Sequence, residues 1–139
     1  VLKRGRDYTV EYLNNKKVGV ATMVMTGIGK YDCTFTRSFR IIPKRTQFTS
    51  ILPSAKKVLL KWTPVTAQAD GYLIQYSTDK AFKTNTAVQK VKDAAKASLT
   101  IDGLKEKTAY YVRIRTYKTV SGTKYYSPWS KAKTVTTKK

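Results

Sequence analysis

The chain has 139 residues, carries 28 Lys and Arg against 8 Asp and Glu, and contains no histidine. The absence of histidine excludes nucleophiles that need an imidazole base, and the single cysteine, Cys33, excludes an internal disulfide and cysteine-based zinc sites. No apolar run approaches the ~20 residues of a membrane-spanning helix, so we expect no membrane insertion.

Residues 1–43 predict three strands that share one apolar face. Apolar and polar side chains alternate in each strand, which places them at residues 7–12, 18–26 and 33–42. The apolar face would be formed by Tyr8, Val10, Tyr12, Ala21, Met23, Met25, Phe35, Phe39 and Ile41. Three strands are thin for an independent core. We therefore expect this face to dock on the rest of the chain or, as a second possibility, to form a homodimer.

Residues 44–139 predict a sandwich. A linker runs into a first edge strand, and turn signals such as Asp70-Gly71 and Asp102-Gly103 separate the strands that follow. The strands are placed at residues 47–51, 56–63, 71–78, 86–92, 97–101, 109–119 and 124–137. Short strands of this spacing, without an amphipathic helix, indicate an all-β, immunoglobulin-like sandwich.

The stretch from Leu104 to Arg115 is the most informative of the chain. A polar turn separates Leu104 from Tyr110, and apolar residues then alternate with Tyr111, Arg113 and Arg115. A tyrosine at such a corner buries its ring and bonds its hydroxyl to the upstream backbone. The predicted core accordingly contains Trp62, Tyr72, Ile74, Leu104, Tyr110, Val112 and Ile114.

These residues carry a resemblance to a known family. Trp62, Gly71-Tyr72-x-Ile74-x-Tyr76, Leu104-x5-Tyr110-x-Val112-x-Ile114, Ser127-Pro128-Trp129-Ser130 and Thr134 to Thr137 follow one another in order. In this pattern residues 44–137 resemble a fibronectin type III domain, and we assign residues 44–139 to it. The chain has no histidine and no two acidic residues at a spacing that predicts a paired catalytic carboxylate, so we predict a non-enzymatic module without cofactor, metal or catalytic residues.

Residues 2–42 resemble the C-terminal half of a bacterial immunoglobulin-like surface repeat. The match is Leu2-x2-Gly5-x-Asp7-Tyr8-x-Val10-x-Tyr12, then Gly19-x-Ala21-x-Met23-x-Met25-x-Gly27-x-Gly29-x-Tyr31, then Phe39-x-Ile41. We therefore interpret residues 1–43 as a partial module and the chain as a fragment of a longer protein. Such repeats look like the stalk segments of secreted or wall-attached bacterial proteins. The resemblance therefore implies an extracellular or cell-surface location in a Gram-positive-like bacterium.

A row of aromatic and basic side chains is the first candidate site. Tyr111, Arg113, Arg115 and Tyr117 should face outward on one strand, with Trp129 on the neighbouring last strand. They could form a platform for sugar rings or stacked bases. Alternatively, Trp129 could lie over the arginines, as its Ser-x-Trp-Ser motif is similar to the tryptophan–arginine ladders of cytokine-receptor type III domains. We favour this structural interpretation.

A second candidate site is the loop that begins at the Ser121-Gly122 turn. Tyr125 and Tyr126 follow that turn, at a loop where many type III domains bind partners. Tyrosines are also common in sandwich loops for packing reasons, because the ring packs while the hydroxyl stays hydrated. Both interpretations remain open at this point.

The positive charge is spread along the chain without a block of consecutive basic residues. Nucleic-acid-binding domains usually concentrate charge on one face, so no specific nucleic-acid partner is predicted. We predict a spacer and interaction module whose partners are the neighbouring domains of a larger protein. The alternative is a binding module for anionic glycans or cell-wall polymers through the basic aromatic face. A nucleic-acid-binding protein is a more distant alternative.

Overall fold

The computed structural model describes all 139 residues, which form eleven strands and one short 3-10 turn. The chain divides into two compact units, Val1–Ile42 and Pro43–Lys139. None of its helical segments is long and apolar enough to cross a membrane. The prediction of an all-β protein is confirmed.

The first unit is a three-stranded antiparallel sheet of β1 (Tyr8–Leu13), β2 (Gly19–Gly27) and β3 (Thr34–Ile41), in that order. The register places Tyr12 opposite Met23 and Ala21 opposite Phe39, so the predicted apolar side chains share one face. The rings of Tyr12 and Phe39 meet edge to face, with centroids 6.4 Å apart. This face is only partly covered, because Tyr12 and Phe39 remain 46% and 40% exposed.

The second unit is built from two sheets. Its strands are β4 (Phe48–Pro53), β5 (Val58–Trp62), β6 (Gly71–Ser77), β7 (Thr86–Val91), β8 (Ser98–Ile101), β9 (Ala109–Val120), β10 (Thr123–Tyr126) and β11 (Lys133–Thr136). One sheet has the order β4-β5-β8. The other has the order β10-β9-β6-β7, and β11 pairs with β9. This arrangement is the predicted sandwich.

The core lies between the inner faces of these two sheets. Every side chain of the predicted core is buried, and Tyr72, Ile74 and Ile114 have no exposed surface. Trp62 from one sheet meets Tyr72 from the other, with ring centroids 5.2 Å apart. Because strand residues alternate between faces, burying these residues turns Tyr111, Arg113 and Arg115 to the outer face of the larger sheet.

Tyr110 adopts the corner geometry that the sequence predicts. Its side chain is buried, and its hydroxyl accepts a hydrogen bond from the backbone N–H of Lys105 at 3.0 Å. Leu104, at the start of the turn, is buried as well. The corner therefore fixes where β9 begins and which of its faces enters the core.

The prediction of one continuous last strand at 124–137 is wrong. The structure divides this stretch into β10 and β11, and residues 127–132 between them are irregular. Pro128 in this segment has no N–H to donate to a sheet ladder. Trp129 therefore lies on a connecting segment beside β9 and not on a strand.

Candidate functional site

The outer face of the larger sheet carries a stack of alternating rings and guanidinium groups. The Arg113 guanidinium carbon lies 4.1 Å from the ring centroid of Phe82 and 4.6 Å from that of Trp129. The Arg115 guanidinium carbon lies 4.3 Å from Trp129 and 4.0 Å from Tyr126. These five side chains, Phe82, Arg113, Trp129, Arg115 and Tyr126, form what we call the cation–π ladder. Each arginine contacts two rings, and Trp129 contacts both arginines.

Two serines hold Trp129 in this position. The backbone N–H groups of Ser127 and Ser130 donate to the carbonyls of Thr116 and Ile114, at 3.0 and 2.8 Å. The two serine hydroxyls accept the N–H groups of the same β9 residues, each at 3.0 Å. The irregular segment thus forms hydrogen bonds with the backbone N–H and C=O groups of β9 as a strand would, with serine hydroxyls in place of carbonyl oxygens as the acceptors. Trp129, between the serines, is directed onto the arginines.

Phe82 comes from the loop between β6 and β7, and the sequence interpretation did not include it. The Asp79 carboxylate accepts the backbone N–H groups of Ala81 at 2.9 Å and Lys83 at 2.8 Å. These bonds favour the charged carboxylate and lower the pKa of Asp79. Phe82 has a positive φ of 55°, a conformation that the bonded loop imposes. The sequence indicates a turn at Asp79, but a turn alone does not predict that Phe82 contacts Arg113.

Neither ladder arginine has an acidic partner. Nε of Arg113 donates to the Gln75 side-chain oxygen at 2.6 Å, whereas the buried Nε of Arg115 has no hydrogen-bond partner. Burial lowers the pKa of Arg113. Burial also lowers the pKa of Arg115, Tyr126 partly opposes this effect, and the positive charge of Arg113 adds to it. The guanidinium groups are thus stabilised by ring faces and not by counter-charges.

Tyr117 is not the exposed member of the row that the sequence predicts. Its side chain is only 5% exposed, and Nζ of Lys90 lies 4.9 Å from its ring centroid. In the sheet register it pairs with Gly71, which has no side chain to occupy the space beside the ring. A Cβ at Gly71 would lie 1.9 Å from the carbonyl oxygen of Val91, so only glycine fits at this position. The same burial raises the pKa of Tyr117.

Tyr125 and Tyr126 lie on a strand, as the predicted strand at 124–137 implies, and not in the loop of the second candidate site. Ser121 and Gly122 form a two-residue turn with φ values of 48° and 79°, and both tyrosines follow within β10. Positive φ at both positions is typical of the tight hairpin turn that matches strand twist. Tyr125 is buried, and Tyr126 is half-buried with its ring over Arg115. Tyr126 therefore belongs to the cation–π ladder.

Other reactive groups of the chain do not assemble into a centre. Cys33 is a free, exposed thiol that lies just before β3. No group of three or more His, Cys, Asp or Glu side chains is placed to hold a metal ion. Tyr111, the remaining member of the predicted row, is half-buried and pairs in register with Thr134 of β11.

Comparison with known proteins decides the family of the second unit. The family model "Fibronectin type III domain" matches residues 42–133, which is more than half of the chain. The chain belongs to the fibronectin type III family. A search of the curated proteins found no match. The resemblance of residues 2–42 to a bacterial immunoglobulin-like repeat stays a prediction.

Solved structures agree on the fold of the fibronectin type III domain. The FN1–FN3 domains of chicken CNTN1 are 18% identical with a TM-score of 0.61, covering 91% of this chain and 45% of theirs. The fn3 domain of human contactin 1 is 19% identical with a TM-score of 0.56, covering 72% of this chain and 82% of its own. A computationally redesigned β-sandwich protein is 22% identical with a TM-score of 0.51, covering 72% and 92%. At these identities the likeness shows the fold alone.

Proposed function

We propose that the chain is a non-enzymatic spacer and interaction module that orients neighbouring domains of a secreted or surface-attached bacterial protein. The observation that carries this proposal is the cation–π ladder. Its arginines and rings contact one another, so these side chains contribute to the packing of the fibronectin type III domain. Membership of a non-catalytic scaffold family supports the same conclusion.

The ladder disfavours a ring-stacking platform for a physical reason. A sugar or base that stacks on an aromatic ring needs an open face of that ring. Trp129 contacts Arg113 and Arg115, so a ligand that takes either position must displace a guanidinium group. The displaced arginine would then forgo a cation–π interaction worth about 0.5–1 kcal/mol at an exposed site.

The net charge of +20 is compatible with a spacer that attracts polyanions without a defined site. Exposed charges act over a Debye length of about 8 Å at physiological salt, so such attraction is steeply salt-dependent. Charged side chains on exposed strands also oppose edge-to-edge association. The charge alone therefore does not require a specific anionic partner.

A salt titration with heparin as the polyanion tests the proposal. For a spacer, we expect the Lys131→Ala/Lys133→Ala and Arg113→Lys/Arg115→Lys variants both to retain weak, steeply salt-dependent binding without a saturable site. The first pair alters exposed lysines outside the ladder and lowers the charge by two, so it should reduce the salt slope slightly. The second pair keeps the charge but removes the planar groups. Saturable binding at about 0.5 M salt that only the arginine variant loses would contradict a pure spacer.

A second candidate function is the binding of anionic glycans or cell-wall polymers through the basic aromatic face. One observation favours it: Arg113 and Arg115 lie in one row, and neither forms a salt bridge. The rings lie over the Cζ atoms of these guanidinium groups. The N–H groups lie in the plane of each guanidinium and point away from its Cζ atom. The arginine variant in the same titration tests this candidate directly.

A further inference from the structure

A cleft of about 420 Å³ opens at the end of the sandwich where β5 ends and β6 begins. Lys44, Arg45 and Gln47 line one side, and Thr63, Pro64 and Val65 line the other. This volume lies in the range of small-ligand sites, roughly 300–1,000 Å³. We name these six residues the cationic cleft. All of them belong to the second unit.

Hydrogen bonds from the core hold both walls of the cleft in place. The hydroxyl of Thr116, a buried residue of β9, donates to the carbonyl of Lys44 at 2.7 Å. The buried Thr46 donates its hydroxyl to the carbonyl of Thr63, which joins the two walls. On the far side, the Val65 N–H donates to the buried Tyr72 hydroxyl at 2.7 Å. The cleft is therefore largely preformed, which lowers the entropic cost of binding.

The two cations of the cleft lack internal counter-ions. Lys44 and Arg45 are exposed, and neither forms a salt bridge. Every acidic residue of the second unit has a partner elsewhere, through Asp70–Lys118, Asp102–Lys57, Glu106–Lys56 and the backbone bonds of Asp79 and Asp93. Unlike the scattered surface lysines, these cations lie beside a concave surface that also offers Gln47, Thr63 and apolar Pro64 and Val65.

We propose that the cationic cleft binds an acidic saccharide unit, with Lys44 and Arg45 engaging its carboxylate or sulfate. The hydroxyl and amide groups of Thr63 and Gln47 would engage sugar hydroxyls, and Pro64 with Val65 would contact the ring. Charged hydrogen bonds give anion recognition, because arginine donates two parallel N–H groups to an oxyanion. The site is separate from the cation–π ladder, and the spacer role does not depend on it.

Titration of the ¹⁵N-labelled full chain with three disaccharides tests this proposal at about 0.15 M salt. The probes are an unsulfated uronic-acid disaccharide, its sulfated counterpart and neutral lactose. We expect saturable shifts of the amides at 44–47, 63 and 65–67 with an acidic probe and none with lactose. The two acidic probes tell carboxylate recognition from sulfate recognition, and saturable binding of either supports the site.

Paired variants complete the test. Removing both cations, as Lys44→Ala/Arg45→Ala, should weaken binding by about tenfold for each charged hydrogen bond that the substitution removes. The matched control, Lys131→Ala/Lys133→Ala, removes the same charge from another surface and should change affinity by about twofold or less. Shifts scattered over many lysines, equal binding of lactose, or equal effects of the two double variants would overturn the proposal. Both double variants alter exposed side chains, so an unchanged spectrum verifies that each is folded.

Discussion

Replacing Trp129 with alanine should destabilise the fibronectin type III domain through the cation–π ladder. Trp129 is half-buried, and the substitution removes its interactions with Arg113 at 4.6 Å and Arg115 at 4.3 Å. Two such interactions at partly desolvated positions amount to about 1–3 kcal/mol. For a unit of roughly 100 residues, each kcal/mol lowers Tm by about 4–8 °C. A loss of about 2 kcal/mol therefore predicts a Tm about 10 °C lower.

Thermal unfolding followed by tryptophan fluorescence measures this effect. The chain has 2 tryptophans, so Trp62 in the core is the remaining reporter of the Trp129→Ala variant. Lys131→Ala, an exposed substitution on the same segment, is the control and should leave Tm nearly unchanged. A double-mutant cycle with Arg113→Ala should give a coupling energy of about 1 kcal/mol. A Trp129→Ala variant that melts with the control, or a coupling near zero, would refute the ladder as a stabilising element.

Three further outcomes are expected. Tyr110→Phe removes the acceptor of the Lys105 N–H and should cost about 1–2 kcal/mol in urea unfolding, unlike Tyr111→Phe on the outer face. The Lys118 hydrogen bond, and then that from the Thr119 backbone, lowers the pKa of Asp70 from 3.8. This carboxylate stabilises the fold above that value, so the stability difference between wild type and Asp70→Asn should shrink as pH falls below about 4. Met23→Asp places a charge on the half-buried apolar face of the first unit, and should speed hydrogen exchange in β1–β3. If this face also forms a homodimer, sedimentation will show a lower mass for the variant.

The core and the corner could be predicted because local sequence determines them. Alternation fixes which side of a strand is buried, and that rule places Tyr110, Val112 and Ile114 correctly from sequence alone. The Tyr110 hydroxyl bonds to Lys105, only five residues upstream, so the turn itself contains the information. The same alternation predicts that the side chains of Arg113 and Arg115 face outward. The position of Trp129 over the arginines was predicted from the Ser-x-Trp-Ser motif and not from periodicity.

The remaining errors concern contacts between distant segments. Tyr117 has the correct parity for the outer face, but its ring is buried, beside Gly71 of β6 and under Lys90 of β7, two strands away. Phe82 reaches Arg113 from a loop whose conformation depends on Asp79 and on positive φ. The walls of the cationic cleft meet through Thr46 and the Thr63 carbonyl, 17 residues apart. Such juxtapositions follow from sheet order, which a single sequence does not contain.

The cation–π ladder also explains why arginine and tryptophan occur together on the outer face of a strongly basic domain. Two cations in one row repel each other, and neither arginine forms a salt bridge that would offset that repulsion. Ring faces carry negative potential, so they stabilise the guanidinium groups without an acidic side chain. Lysine would keep the charge but lose the planar stacking, because its ammonium is compact and strongly hydrated. The ladder joins the β6–β7 loop, through Phe82, and the segment at 127–132, through Trp129, to the central strand β9. Irregular segments at the surface are thus tied to the core.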